Sequence, residues 1–480
     1  MASLLYQLGL ALLLVTAGPL LLLLRGRHYL PTLSGRLGLA LPPGEPGALW
    51  LHAVSVGEVA VAAVVAEALP AETPLVVTTI TPTGQARARA LLGKRAAVGY
   101  LPIDLGPLVG RFLRRLRPAA LVLVEGDYWP LLLSRCRRRG LPVVVINGRV
   151  GDRTLRLLAK RQGIARWLLG VVDRFAVQTE EDARRLRALG VAAEKVTVAG
   201  NLKYDAPEPP ALPLLEAAMR SAAAGRPILV AGSTMAGEEE AVLAAFQAVG
   251  GGHRALLVLA PRHPERRNEV ARLLDGSGLA WQRRSAMDAA ASDVATAVRA
   301  RDSGPHATST SGQRDKIASP AVVLLDSLGE LAGLYRLAAG CFVGGTLAPK
   351  GGHNPLEPAR FGRAVAVGPS MENFRDMAAQ FDAAGAWRRV ADGDELAAAW
   401  REWIETPASA DALGARALQV VEANRGALAR TLAVLAPVLA RVQPGDRAAA
   451  IATPAVVREA VAATRNPVAI DMPAPRRARQ

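Results

Sequence analysis

The sequence predicts an α/β protein of two doubly wound, Rossmann-like domains behind an apolar N-terminal helix. Three observations carry that prediction. Short runs of Val, Leu, Ile and Ala alternate with longer amphipathic stretches through most of the 480 residues. That is the pattern of parallel strands buried on both faces and joined by helices. The alternation breaks at a proline-rich stretch, DAPEPPALP at 205–213, and then restarts, which reads as a linker between domains. Residues 2–24 carry no charged side chain. Length agrees, since 480 residues suit two domains of about 200 residues better than one core.

The N-terminal run is long enough, at 1.5 Å per helical residue, to cross a hydrocarbon layer of about 30 Å. Its positive charges follow it, at Arg25, Arg27 and Arg36, and the first acid is Glu45. A cleaved signal peptide carries its charges before the apolar run. The expectation is therefore a retained membrane anchor over residues 1–25, with everything after it cytoplasmic by the positive-inside rule. Strands are expected at 48–53, 74–79, 97–101, 120–124, 142–146 and 174–177, with helices at 57–69, 83–92, 107–116 and 180–189 between them. These form a first domain over 26–205. After a linker at 206–221, strands at 227–231, 255–260, 321–325, 339–343 and 364–367 alternate with helices at 237–248, 264–274, 328–334 and 394–406. They form a second domain over 222–440, and doubly wound pairs of this kind bind ligands in the crevice at the carboxyl ends of their strands. Residues 285–320 are biased to Ala, Ser, Thr and Asp and read as a disordered insertion, and 441–480 as a disordered tail.

Composition excludes several function classes. Net charge is +16, from 58 Lys and Arg against 42 Asp and Glu. That favours an anionic partner, and behind an apolar helix the simplest one is anionic lipid. Aromatics at 4% are too few for the stacking platforms of single-stranded nucleic-acid binders, so no nucleic-acid partner is expected. Cys136 and Cys341 build neither a disulfide framework nor a Cys-rich zinc site. H-E-x-x-H and G-x-S-x-G are absent, and with them the two hydrolase readings they would support. Nothing in the sequence sets the oligomeric state.

Six segments carry candidate chemistry. In LHAVSVGEVA (51–60) a strand turns through Gly57 into a helix, which puts Glu58 where open α/β sheets hold their reacting groups. A carboxylate there can act as general base on a sugar hydroxyl; a helix dipole also favours acid in a first turn. TTITPTGQ (78–85) and AGSTMAGEEE (231–240) each place hydroxyls between a strand and a helix, a setting that suits a phosphate or carboxylate. N-capping explains Thr81 equally well, whereas Ser233 and Thr234, after the first strand of the second domain, suit a nucleotide phosphate. VEGDYWP (124–130) brings Glu125 and Asp127 past a strand; lacking the Asp-x-Asp form, the pair is read without a metal. LAPRHPE (259–265) exposes Arg262 and His263, and Arg suits phosphate or carboxylate. GGTLAPKGGHNPLEP (344–358) is the densest polar turn, with Lys350, His353, Asn354 and Glu357 among four glycines including Gly345, Gly351 and Gly352. Its glycines let backbone approach an anion, and Glu357 is placed to accept ribose hydroxyls. It is neither a dinucleotide-binding nor a P-loop motif.

Taken together, these segments resemble the 3-deoxy-D-manno-octulosonic acid (Kdo) transferases of lipid A biosynthesis. The similarity runs in order through HAVSVGEV (52–59), TTITPTG (78–84), YLPIDL (100–105), RPAALVLVEGDYWP (117–130), INGRV (146–150), QTEEDARRLRALG (178–190) and VAGNLKYD (198–205). It continues through AGSTMAGEEE (231–240), LAPRHPER (259–266), DSLGELAGLYRLA (326–338), FVGGTLAPKGGHNPLEPA (342–359) and GPSMENF (368–374). The resemblance implies a GT-B glycosyltransferase at the inner-membrane face. It would move Kdo from CMP-Kdo onto the lipid A precursor with inversion, without a metal or other cofactor. Glu58 then matches the general base, and Ser233, Thr234, Arg262, His263, Gly345, Lys350, Gly351, Gly352, His353, Asn354 and Glu357 fall on the CMP-Kdo side. Ser55, Gly57, Thr81, Glu125, Asp127 and Lys203 fall on the acceptor or transition-state side. The sequence departs from the family pattern at Asp127, within the usual ETELWP, at Met235, where His is expected, and at Gly148, for Ala. The competing reading within the fold is a membrane-associated transferase using a UDP-sugar on a lipid acceptor.

Overall fold

The computed structural model describes residues 2–40, 42, 44–287 and 319–442. The expected insertion, but for its ends at 285–287 and 319–320, and the expected tail beyond 442 lie outside the described residues. The chain divides into two compact units, Met1–Pro207 with the segment from Asn424, and Glu208–Ala423.

The first unit is built on seven parallel strands: β1 (Leu49–His52), β2 (Leu75–Thr79), β3 (Ala97–Tyr100), β4 (Ala120–Val124), β5 (Val143–Gly148), β6 (Arg174–Val177) and β7 (Val196–Val198). Their spatial order, β3-β2-β1-β4-β5-β6-β7, reverses direction between β1 and β4. Successive side chains of a strand point to opposite faces, and here both faces are covered. Leu49 and Leu51 pack on one side with Val77, Val122 and Ile146, while Trp50 packs on the other with Val76, Leu121 and Phe112. Trp50 is fully buried and donates its indole N–H to Thr78 Oγ1 at 2.8 Å.

The second unit repeats the plan with β8 (Ile228–Thr234), β9 (Leu256–Pro261), β10 (Trp281–Arg283), β11 (Val322–Leu324), β12 (Ala338–Val343), β13 (Val365–Val367) and β14 (Arg388–Arg389). The strands are again all parallel, in the order β10-β11-β9-β8-β12-β13-β14, and the reversal falls between β8 and β12. The doubly wound expectation therefore holds for both units. It omitted β7, β10 and β14, which are two or three residues long; β10 and β14 are edge strands whose side chains are only half-buried or exposed.

Two domain boundaries move. The expected linker at 206–221 already contains the start of a helix, Pro213–Ala223, that belongs to the second unit. The second unit ends at Ala423 rather than 440, because the helix Ala427–Leu439 returns to the first. Its Ala427, Leu432, Leu435 and Val438 join the apolar cluster of Leu49, Leu51 and Ile146. Asp205 caps it, accepting the Gly426 and Leu428 N–H groups at 2.7 Å each, and Arg430 donates to the Ala199 carbonyl at 2.7 Å. The elements expected from the sequence pattern include no helix at 427–439, and the apolar stripe of this one does not by itself specify which core it covers.

The N-terminal apolar run forms a 28-residue helix, Ala2–Tyr29, with Leu5, Leu8, Leu12, Leu13 and Val15 exposed. Among the described residues no helix is long and apolar enough to cross a membrane.

Candidate active site

In the first unit the turns after β1 and β4 flank the reversal of strand order, the position where open parallel sheets hold ligands. Ser55 caps the helix Val56–Ala68. Its Oγ accepts the Glu58 N–H at 3.4 Å and donates to Glu58 Oε1 at 2.8 Å, while Glu58 Oε2 accepts the Val54 N–H at 2.8 Å. This is a variant of the capping box in which the N3 carboxylate reaches one residue further back than usual. The Ser-x-x-Glu spacing was in the sequence, so the structural role of Glu58 was readable there alongside the chemical one. Gly57, in the first turn, has nothing nearer to a hypothetical Cβ than Ser55 Oγ at 4.0 Å. Thr81 Oγ1 accepts the Gly84 N–H at 3.0 Å and donates to the Val54 carbonyl at 3.2 Å. Its hydroxyl is engaged in bracing the Glu58 turn, which favours the capping role over a ligand contact.

Glu58 is 8% exposed, and burial pushes its pKa up to about 7; its two donors oppose the shift, and Asp127 and then Glu125 add to it. Three carboxylates thus share this end of the sheet. Glu125 is held by Lys203 Nζ at 2.8 Å and by Asn147 Nδ2 at 3.2 Å, both on Oε1. Asp127 has its pKa raised by burial and by Glu125. Among the described residues, five that are not glycine have positive φ. Two of them, Arg117 and Ala224, end helices; Glu125 (φ 62°), Asn147 (φ 52°) and Ser233 (φ 58°) sit at the carboxyl ends of strands. Left-handed backbone for such residues persists where the surroundings impose it, commonly at ligand sites.

Sequence reasoning missed the support beneath these groups. Buried His52 accepts the Trp129 indole N–H on Nε2 at 3.1 Å, so its Nδ1 carries the proton and faces the Thr78 carbonyl at 3.1 Å. Burial lowers the His52 pKa to about 4, which keeps the ring neutral and the Trp129 contact intact. Asn147 Oδ1 accepts the Leu202 N–H at 2.9 Å and its carbonyl accepts from Gln178, tying the Lys203 segment to β5. HAVSVGEV and INGRV contained these residues, but nothing in them specified partners 26 to 77 positions away.

In the second unit the turns after β8 and β12 flank the reversal. They touch so closely that a Cβ on Gly344 would lie 2.4 Å from the Ser233 carbonyl oxygen, so only glycine fits. Ser233 is half-buried, whereas Thr234 is fully buried and donates to Glu239 Oε1 at 2.9 Å. Thr234 therefore departs from the expectation of a phosphate contact: its side chain is enclosed in the protein. Glu239 also pairs with Arg266 at 2.7 Å, while Arg262 and His263 stay exposed. His353 lies near both, since after burial they are the groups that lower its pKa, to about 4. Its Nε2 is buried without a partner, the only histidine nitrogen so placed among the described residues. Gly345 donates to Glu238 and Gly351 donates to Ser370 Oγ at 2.8 Å, while the Gly352 N–H donates to the Gly345 carbonyl at 2.8 Å. Lys350 is exposed at the tip. Asn354 Oδ1 accepts the Leu356 N–H at 3.1 Å, and its Nδ2 approaches Glu357 at 3.4 Å. GPSMENF (368–374) packs against this turn through Ser370 and through Asn373, whose Nδ2 donates to the Lys350 carbonyl at 3.1 Å. Among the described residues no group of three or more His, Cys, Asp or Glu is arranged to hold a metal ion.

Comparison with known proteins adds a family. The family described as 3-deoxy-D-manno-octulosonic-acid transferase (kdotransferase) matches residues 32–206. A 3-deoxy-D-manno-octulosonic acid transferase of Bordetella pertussis is 34% identical over 85% of this chain and 91% of its own length. One of Haemophilus influenzae is 31% identical over 88% and 94%. Among solved structures, UDP-GlcNAc 2-epimerase from Neisseria meningitidis aligns over 81% of this chain and 99% of its own with a TM-score of 0.51 at 13% identity, a likeness of fold.

Proposed function

The chain belongs to the 3-deoxy-D-manno-octulosonic acid (Kdo) transferases, and from that premise we propose how its residues divide the reaction. It is a glycosyltransferase that adds Kdo in the lipid A and core part of lipopolysaccharide synthesis. The donor is CMP-Kdo and the acceptor a hydroxyl of the lipid A precursor. The observation that carries the assignment of roles is Glu58: a buried carboxylate beside a strand-order reversal, with its pKa raised to about 7, matched to a proton acceptor at neutral pH.

Glu58 takes the proton of the acceptor hydroxyl as that oxygen attacks the anomeric carbon. Glu125, neutralised by Lys203, and Asp127 orient the acceptor at the same sheet end. On the donor side, Arg262 and Lys350 meet the phosphate charge as the bond to CMP breaks, and Glu357 accepts ribose hydroxyls. Neutral His353 offers its unpaired Nε2 to the same ligand. Inversion follows from a single displacement without a glycosyl-enzyme. The exposed apolar face of the helix Ala2–Tyr29, about 42 Å long, anchors the chain to the inner membrane with both units cytoplasmic. Arg135 and the three arginines close enough to act on it, Arg114, Arg138 and Arg139, face anionic lipid.

The test is CMP release from CMP-Kdo with tetraacyl lipid A precursor, by the full chain in detergent, with and without EDTA. Transfer by the wild type that persists in EDTA and is lost in Glu58→Ala supports the whole reading. Transfer surviving Glu58→Ala moves the base elsewhere. No release from CMP-Kdo, with release from a UDP-sugar, replaces the donor.

A further inference from the structure

The glycine-rich turn after β12 presents backbone N–H groups in a concave row, the arrangement that ordinarily holds a phosphate or carboxylate. That row is already filled, by an anion from the protein itself. Glu238, the first residue of the helix Glu238–Ala248 and 1% exposed, points its carboxylate into the row. Oε2 accepts the N–H groups of Gly345 at 2.6 Å and Met235 at 2.8 Å. Oε1 accepts those of Thr346 at 2.9 Å, Leu347 at 2.9 Å and Ala348 at 3.1 Å. The Glu238 N–H in turn donates to the Met235 carbonyl at 2.9 Å, closing a reciprocal clasp on the turn after β8. Five donors converge on one side chain, across 107 to 110 residues of sequence for four of them.

We propose that Glu238 is a positioning residue of the donor half: an internal anion that occupies this nest, excludes the donor phosphate from it, and fixes the turn from which Lys350, His353, Asn354 and Glu357 extend. This rests on the reading of the second unit as the CMP-Kdo side. Two structural facts and their consequence support it. The turn has further braces, Thr346 Oγ1 to the Val343 carbonyl at 2.6 Å and Ser370 N–H to the Thr346 carbonyl at 3.0 Å, but none of them satisfies the four N–H groups of 345–348. Without Glu238 those donors are left facing one another, an arrangement that opens the loop or draws in another anion. And the groups still able to meet a phosphate, Ser233, Arg262 and Lys350, lie outside the nest.

The consequence is a particular kinetic signature. In Glu238→Gln the amide nitrogen turns a donor toward part of the nest, so donor KM rises about tenfold or more while acceptor KM stays within about twofold. A loss that was only structural would lower kcat and stability and leave KM for both substrates alike. In Glu238→Ala, formate restores part of the donor affinity, and it does nothing to the wild type. A second measurement needs no variant. Hydrogen exchange of the wild-type chain, read by mass spectrometry, shows slow exchange over 345–348 that CMP leaves unchanged, with CMP acting instead around 351–354. Unchanged donor KM in a folded Glu238→Gln overturns the proposal, as does CMP-induced protection of 345–348. A wild type that fails to use CMP-Kdo overturns the donor assignment instead, and the exchange of 345–348 without nucleotide still reports whether Glu238 fills the nest.

Discussion

Each of the two strand-order reversals of this molecule carries a buried carboxylate, and on the reading proposed above the two are put to opposite uses. Each places a glutamate in the first turn of the helix after the first strand, and each glutamate accepts an N–H from the residue three or four positions before it. Glu58 has two donors, Val54 N–H and Ser55 Oγ–H, and neighbouring acids that raise its pKa. Glu238 has five N–H donors, all from backbone. A group that is to accept a proton must keep lone pairs free and hold its pKa near the working pH. A group that is to hold a loop must do neither. The number of donors aimed at the carboxylate separates the two roles.

The largest test of that contrast is the exchange of Glu58 for Gln. The amide can keep one hydrogen bond to the Val54 N–H and one to Ser55 Oγ but cannot take a proton. We expect kcat to fall by about 10²–10⁴-fold with donor KM little changed, the reverse of the split expected at Glu238; equal splits at both positions would erase the distinction.

The pH dependence sharpens it. With a folded pKa of about 7 against an ordinary 4.5, Glu58 keeps its proton in the folded chain over a window where the unfolded chain has lost it. Its contribution to stability therefore falls as pH rises from about 4.5 to about 7. Above that window the buried charge costs on the order of 3 kcal/mol. Denaturant titration should find Glu58→Gln more stable than wild type at pH 8 by up to that amount and indistinguishable at pH 4. The rate of transfer should meanwhile fall below pH 7 as the base becomes protonated. A smaller shift tests the neighbours: Lys203→Met removes the cation on Glu125, so the acid limb of the pH–rate profile should move upward by several tenths of a pH unit. No movement would separate Glu125 from Glu58.

The smallest effect is structural. Asp205→Ala removes two N–H caps from the returning helix, and unfolding should show a loss of about 1–2 kcal/mol with kcat unchanged.

Much of this architecture was legible in the sequence because parallel sheets buried on both faces demand uninterrupted apolar strands. Leu49–His52, Ala120–Val124 and Ile228–Thr234 declare themselves that way. Glu58 was legible because its place after the first strand is a property of local order. Glu238 was not. In AGSTMAGEEE three consecutive glutamates look alike, yet Glu238 enters the nest, Glu239 pairs with Arg266 and Thr234, and Glu240 faces solvent. Only the approach of a turn more than 100 residues away distinguishes them. Thr234 was misread for the same reason, its hydroxyl being turned inward by Glu239. The boundary at 440 failed because an amphipathic helix does not announce which unit it covers.

That returning helix has a consequence for how the chain is made. A ribosome delivers the first sheet early, but the helix that seals one of its faces emerges only after the whole second unit, since Ala427–Leu439 follows Glu208–Ala423. Throughout that interval the nascent first unit carries an open apolar seat beside Leu49, Leu51 and Ile146, the kind of surface that recruits chaperones or aggregates. The second unit, contiguous in sequence, is free to fold while the first waits to be closed.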